Sequence, residues 1–184
     1  MVMWHTSLSP YIKVLPTTSP SFVSVLLTPP GILPSLHTSV YLPTAGKDGE
    51  WLATLVQLEA HVMENIVKYG KLATFLRGDF NASSKNKPRS AILSSVIARL
   101  SLNRVNIDHY SYHHFRGDGD SDSDLDLLLY GGGDGVAEHL DHIECKFVNP
   151  LLFSHHDLIV SECSIPPLEI RSTDESKNIT APEN

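Results

Sequence analysis

The sequence predicts an α/β (α+β) domain, and three observations lead to this class. Residues 1–44 contain short apolar, β-rich runs separated by prolines, which is typical of strands. Residues 50–69 repeat apolar side chains at spacings of three and four, which indicates an amphipathic helix. A short apolar run at residues 74–76 leads into a polar stretch with the sequence RGDFN. Strands on both sides of a helix favour a sheet with helices packed against it.

Composition limits the class of protein before any motif is considered. With 184 residues and 41% hydrophobic content, the chain is long enough for one domain with a substantial core. The net charge of −7 argues against DNA binding through a broad basic surface, but not against a site where a bound cation supplies the positive charge. Cys145 and Cys163 lie in apolar contexts and indicate reduced thiols, so we expect a cytoplasmic or nuclear protein. No apolar run is long enough to cross a membrane, and the N-terminus lacks the pattern of a signal peptide.

Three strands and a long helix are predicted in the first 70 residues. The strands lie at 11–15, 21–28 and 33–42, each bounded by a proline or a Pro-Gly turn. The helix runs over 50–69 and ends at Gly70, since glycine is common just past a helix C-terminus. One face of the helix is expected to be buried against a sheet, and it comprises Trp51, Leu55, Leu58, Val62 and Ile66.

The polar end of the next strand contains the first candidate site residues. Gly78 is expected to turn the backbone tightly. Asp79 and Asn81 follow at alternate positions, so their side chains share one side if the chain there stays extended. The carboxylate can hold a hard cation or take a proton from water, and the amide can donate to a phosphate oxygen. The alternative is an Asx turn in which both side chains bond only the local backbone.

A basic segment lies next to this stretch. Residues 82–89 predict a polar loop with Lys85, Lys87 and Arg89, whose charges are either solvated or in contact with a phosphate backbone. Residues 91–100 then predict a second, shorter amphipathic helix.

An acidic segment at residues 118–126 has a carboxylate at nearly every second position. It lacks the glycine and glutamate that a calcium-binding EF-hand loop requires at its sixth and twelfth positions, so we interpret most of it as a solvated loop. Asp126 differs because it lies in the apolar strand 125–130, where a buried carboxylate needs a partner or a cation. Further strands are predicted at 143–148 and 158–161. Residues 166–184 are polar and predict a disordered tail after a domain over 1–165.

Four motifs in order resemble one superfamily. They are TSVYLP at residues 38–43, GDFN at 78–81, SDLD at 123–126 and SHHD at 154–157. Together they resemble the endonuclease/exonuclease/phosphatase superfamily, and in particular the apurinic-type endonuclease domain of non-LTR retrotransposons. The resemblance implies a DNase I-like fold of two packed sheets flanked by helices. It also implies cleavage of DNA phosphodiester bonds with Mg²⁺ or Mn²⁺, as part of a reverse-transcriptase polyprotein.

The resemblance implies a role for each matching residue. Asp79 would bind the metal and orient or activate the attacking water, and Asn81 would donate a hydrogen bond to the phosphate. Asp126 would pair with His156 and fix its tautomer, while His156 would face the phosphate as acid/base or charge stabiliser. Tyr41 would contact the phosphate or the leaving oxygen. The alternatives are that Tyr41 is only an aromatic residue at a strand end and that His156 only bonds a carbonyl or caps a strand.

Two departures from the family pattern affect the expected activity. His155 stands where the family has an aspartate, so it is the second candidate metal ligand beside Asp79. The family's asparagine and metal-binding glutamate precede the strand that matches Trp4, where this chain begins. We therefore expect a partial domain without its first strands and N-terminal half, holding the metal weakly. The sequence leaves three functions open: an endonuclease that is complete in a longer chain, an inactive remnant, or a protein-binding module that uses the sheet.

Overall fold

The central feature of the fold is a six-stranded mixed sheet with two helices packed on one face. A computed structural model describes residues 2–105, 112–116, 119–123, 125–132, 143–148, 158–163, 165 and 167. The predicted α/β class is confirmed. Neither helix in this described part combines the length and hydropathy that a membrane crossing requires.

The main sheet consists of β1 (Ile12–Leu15), β2 (Phe22–Leu27), β3 (Ser35–Tyr41), β4 (Ala73–Asp79), β5 (Leu102–Arg104) and β8 (Asp126–Gly131). The six strands follow the order β1-β2-β3-β4-β8-β5 across the sheet. Strand β3 pairs with β4 in parallel, and the other neighbours are antiparallel. A parallel pair needs a crossover connection, which helix α1 (Asp48–Tyr69) supplies between β3 and β4.

Two strand pairs lie outside the main sheet. Strand β6 (Tyr112–Arg116) pairs with β7 (Gly119–Ser123), and β9 (Ile143–Val148) pairs with β10 (Leu158–Cys163). The expectation that the acidic segment forms a solvated loop is therefore wrong for β7, which is a paired strand. Residues 168–184 of the predicted tail lie outside the described residues, while Pro167 forms an isolated bridge with Ile32.

Helix α1 (Asp48–Tyr69) confirms the predicted amphipathic helix. Four residues of its predicted face are fully buried, and Ile66 packs partly buried against the same core. The indole Nε1 of Trp51 donates to the carbonyl of Phe80 at 2.8 Å, which ties the start of the helix to the chain just after β4. The four buried residues are Trp51, Leu55, Leu58 and Val62.

Gly78 lies inside β4, so the expected tight turn at this residue is wrong. Its φ is 135°, and a Cβ added there would lie 2.0 Å from the carbonyl oxygen of Val40 on the neighbouring strand β3. Glycine is needed because the backbones of β3 and β4 approach closely here, in a conformation that other residues rarely adopt.

Helix α2 (Lys87–Arg99) begins four residues earlier than predicted. The side chain of Asn86 caps it by accepting from the backbone N–H of Arg89 at 3.4 Å, and Pro88 occupies the first turn, where its missing N–H costs nothing. The loop expected over 82–89 therefore ends in helix, and Lys85 and Lys87 are exposed.

Arg89 is buried, so its expected position in a solvated or phosphate-contacting loop is wrong. Its guanidinium donates to the carbonyls of Pro43, Thr44 and Asn81 at 2.9, 2.9 and 3.0 Å. It also bonds the Asp48 carboxylate, with Nε–Oδ1 at 2.8 Å, and lies 5.1 Å from the centre of the Trp51 ring. One side chain thus joins the segments that follow β3 and β4 to the start of α1.

We expect Gly78→Ala to lower the free energy of unfolding by about 2–4 kcal/mol, because the added methyl group meets backbone and the φ becomes strained. Urea unfolding measures this loss. Gly49→Ala is the matched control, since nothing lies within 4 Å of a Cβ there. It should be neutral or stabilising by up to about 1 kcal/mol. Equal stabilities for the two variants would contradict the close approach.

We expect Arg89→Lys to lower the free energy of unfolding by about 2–4 kcal/mol, because lysine cannot reproduce the forked set of bonds to three carbonyls. Arg99→Lys on the same helix is the control. Arg99 is exposed and bonds Glu59 across the surface, so this variant should leave the unfolding midpoint nearly unchanged. Similar midpoints for both variants would argue against a structural role for Arg89.

Candidate functional site

Three predicted site residues lie side by side on adjacent strands. Tyr41 ends β3, Asp79 ends β4 and Asp126 begins β8, and the strand registers pair Tyr41 with Asp79 and Asp79 with Asp126. Residues paired in register point to the same face of a sheet. The neighbouring residues Val40 and Leu127 belong to the core under the helices. The three side chains, here called the site row, therefore lie on the opposite face, at one edge.

The two carboxylates of the site row oppose each other across an antiparallel pair. In such pairs the Cα atoms are about 4.5–5.5 Å apart, and like charges directly opposite each other are destabilising. Asp79 and Asp126 together supply carboxylate oxygens, which are ligands that a hard divalent cation prefers. Within the described residues, no group of three or more His, Cys, Asp or Glu side chains is placed to hold a metal. The described part of the chain therefore offers two candidate metal ligands, the carboxylates of Asp79 and Asp126.

Asp79 is 8% exposed, and its Oδ1 accepts from the backbone N–H of Asn81 at 2.8 Å. Asn81 has a φ of 47°, so the chain turns here. The expectation that Asp79 and Asn81 point to one side required an extended chain and does not hold. The Nδ2 of Asn81 donates to the carbonyl of Leu42 at 2.8 Å. The Asx-turn alternative therefore describes the local backbone. A primary amide has two N–H groups, so Asn81 keeps a second donor for a substrate oxygen.

Tyr41 is the exposed member of the site row, with 59% of its surface accessible. It borders a cavity of about 260 Å³ that is also lined by Ser21, Pro43, Thr44, Lys47 and Glu50. The carbonyls of Pro43 and Thr44 are held by Arg89, so the wall of this cavity is attached to the core. A phenol beside such an open cavity is accessible to a ligand.

Arg77 is a candidate that the sequence analysis missed. It lies two residues before Asp79 on the same sheet face, is exposed, and pairs in register with Ser39. Its guanidinium lies 5.6 Å from the centre of the Phe75 ring. Side chains two residues apart on a strand point to the same face. Counting back from Asp79 therefore places the Arg77 cation next to the site row.

Burial and, to a smaller extent, the nearby positive charge of Arg77 together lower the pKa of His37 to about 4. The His37 ring stacks on Phe75 with centroids 4.9 Å apart, and its Nε2 lies 2.9 Å from the Ser35 hydroxyl. His37 is therefore neutral at pH 7, and Arg77 carries the positive charge on this part of the face. Both line a cavity of about 180 Å³ with Val2, Met3, Thr38 and Ser39.

His155 and His156 lie outside the described residues. The expected pairing of Asp126 with His156, and His155 as a metal ligand, therefore stay predictions. The structure brings Tyr41, Asp79 and Asp126 together in the site row, with Asn81 in the adjoining turn.

Comparison with known proteins identifies the fold. No protein-family profile and no curated protein sequence matches the chain. Among solved structures, the endonuclease domain of TRAS1, a telomere-specific non-LTR retrotransposon, superposes with a TM-score of 0.62 at 18% identity, covering 82% of this chain and 68% of that one. TDP2 from Caenorhabditis elegans superposes with a TM-score of 0.50 at 14% identity. That match covers 74% of this chain and 42% of TDP2.

Such low identities establish architecture and leave activity open. The six-stranded mixed sheet flanked by helices is confirmed, since the match covers 82% of this chain for the first structure and 74% for the second. The packing of a second sheet against it stays a prediction. The chain therefore has a DNase I-like fold.

Proposed function

We propose that the chain belongs to a divalent-metal-dependent phosphodiesterase that cleaves DNA. The observation that carries this proposal is the opposition of Asp79 and Asp126 at the sheet edge, in register with Tyr41. Carboxylate pairs of this kind suit Mg²⁺ or Mn²⁺, which prefer oxygen ligands. The likeness to the TRAS1 endonuclease domain supports DNA as the substrate.

The residues of the site fit the proposed metal, because two carboxylates paired in register supply the oxygen ligands that Mg²⁺ and Mn²⁺ prefer. Asp79 and Asp126 would hold the ion. When bound, it neutralises negative charge on the phosphate group. Asp79 would also orient the attacking water, and the hydrogen bond that its Oδ1 accepts from the Asn81 backbone N–H fixes the direction of the carboxylate.

The other residues act on the substrate phosphate. The remaining N–H of the Asn81 amide would donate to a phosphate oxygen, and the bond from Nδ2 to Leu42 fixes the orientation of the amide. The hydroxyl of Tyr41 would donate to the phosphate or to the leaving oxygen from its exposed position beside the cavity. His156 would transfer a proton to the leaving group. Asp126 would accept a hydrogen bond from the His156 ring and so fix its orientation.

A catalytically inactive chain is the second candidate. The small number of carboxylates favours it. The described residues bring together only two carboxylates, and a tightly held octahedral ion needs more ligands from protein, water or substrate. The same scaffold could then serve only to bind a protein. The following measurements separate these functions.

We expect the 184-residue chain to nick supercoiled plasmid weakly in Mg²⁺ or Mn²⁺, and a chelator to stop the reaction. Asp79→Asn keeps the shape of the side chain and removes its charge, so the nicking rate should fall by at least about a hundredfold. Glu64→Gln, an exposed carboxylate on α1, is the control and should leave the rate unchanged. No nicking above the chelated background would favour the inactive chain, and nicking that survives Asp79→Asn would contradict the assignment.

The role of Asp126 is separable from that of Asp79 by metal titration. If Asp126 shares the ion, Asp126→Asn raises the Mg²⁺ concentration for half-maximal nicking by about tenfold, because the ion loses one of two charged ligands. We expect this result, from the opposition of the two carboxylates. A lower maximal rate with an unchanged Mg²⁺ requirement would leave Asp126 only its role as the partner of His156.

A further inference from the structure

Arg77 carries a positive charge beside the site row that no carboxylate of the described residues neutralises. It lies on the same sheet face as Asp79, two residues earlier on β4, and its side chain is exposed. The ion pairs in the described part of the chain belong to three other cations, Lys47, Arg89 and Arg99. The charge of Arg77 is therefore available to a ligand.

Aromatic rings hold the Arg77 guanidinium away from the carboxylates of the site row. The guanidinium lies over the Phe75 ring, 5.6 Å from its centre, and Phe75 precedes Arg77 on β4 whereas Asp79 follows it. The buried His37 ring stacks on Phe75 and so limits its movement. A guanidinium held over a ring keeps N–H groups at its edge, where they can bond two oxygens of a phosphate. Because the side chain is already restricted, binding costs it less conformational entropy.

The cavity of about 180 Å³ beside Arg77 fits a ligand with a single negative charge. Its wall is formed by Val2, Met3, His37, Thr38, Ser39 and Arg77. His37 is neutral at pH 7, so Arg77 supplies the one full charge among these lining residues. A phosphodiester group carries one negative charge and matches this lining.

The position of Arg77 fits the spacing of charge along DNA. Two residues along a strand cover about 6.6–6.8 Å, which gives the separation of the Arg77 and Asp79 Cα atoms. Each strand of duplex DNA carries one negative charge for about every 3.4 Å of helix axis. A DNA strand with one phosphate group at the proposed metal site therefore places another within reach of the long Arg77 side chain.

We propose that Arg77 and its cavity form a second phosphate subsite, which binds a phosphodiester of the DNA strand close to the one that is cleaved. This inference rests on the proposed function, since it takes DNA as the ligand. With a net charge of −7, the chain lacks the overall positive charge that attracts DNA and depends on local cations. The subsite adds such a contact and fixes the position of the strand relative to Asp79.

Fluorescence anisotropy of a labelled DNA duplex, over a series of salt concentrations at fixed Mg²⁺, tests the subsite. The expected nicking is weak, so binding equilibrates before much DNA is cut. Arg77→Gln should weaken binding by about fivefold near 0.15 M salt, and the slope of log affinity against log salt should become shallower by up to about 0.9. Both changes are the contribution of one phosphate contact. Arg77→Lys keeps the charge, so it should keep the slope and lose only part of the affinity.

Arg99→Gln is the matched control, because it removes the same charge from an exposed arginine on α2, which packs on the other face of the sheet. It should leave DNA affinity and salt dependence unchanged, and circular dichroism verifies that every variant is folded. An Arg77→Gln variant that binds DNA like the unsubstituted chain, or equal losses for the two variants, would overturn the subsite and leave the proposed function standing. Absence of DNA binding by the unsubstituted chain would overturn both.

Discussion

Parallel pairing of β3 with β4 is the constraint on which the candidate site depends. It brings the ends of both strands to one edge of the sheet, so that Tyr41 and Asp79 lie next to each other. The pairing is close enough at Val40 that the opposite position must be Gly78. Strand β8 then adds Asp126 to the same row by pairing antiparallel with β4. Three residues that are far apart in sequence become neighbours because of two strand pairings.

A strand edge alone would leave the polar segments beyond it mobile, and two buried side chains attach them to the core. Arg89 binds carbonyls in the segments after β3 and β4, and Trp51 binds the carbonyl of Phe80. Both donors come from helices, which are more rigid than the loops they hold. The orientation of Asp79 and Asn81 therefore depends on helix packing as well as on the sheet, so a substitution in α2 can act on the site from a distance.

Sequence patterns predicted the elements whose signal is local. The face of α1 from Trp51 to Ile66 and the strands around Ser35–Tyr41 and Ala73–Asp79 follow from apolar periodicity, which depends only on nearby residues. The function of Arg89 was not predictable in this way. A charged residue in a polar stretch is usually solvated, and only the tertiary structure brings three carbonyls within its reach. The prediction that Asn81 shares one side of the chain with Asp79 failed for a related reason. It assumed an extended backbone, and the left-handed conformation of Asn81 turns the chain there.

The charge of the molecule decides how a DNA substrate could approach the proposed site. A net charge of −7 repels a polyanion at long range, and the two carboxylates of the site row add to this repulsion locally. A divalent cation between Asp79 and Asp126 would cancel their combined charge, and Arg77 would then leave this part of the face positive. Substrate binding and metal binding are therefore coupled in the proposed function. Because coupling of this kind is reciprocal, DNA should strengthen the affinity of the site for its metal as much as the metal strengthens the affinity for DNA.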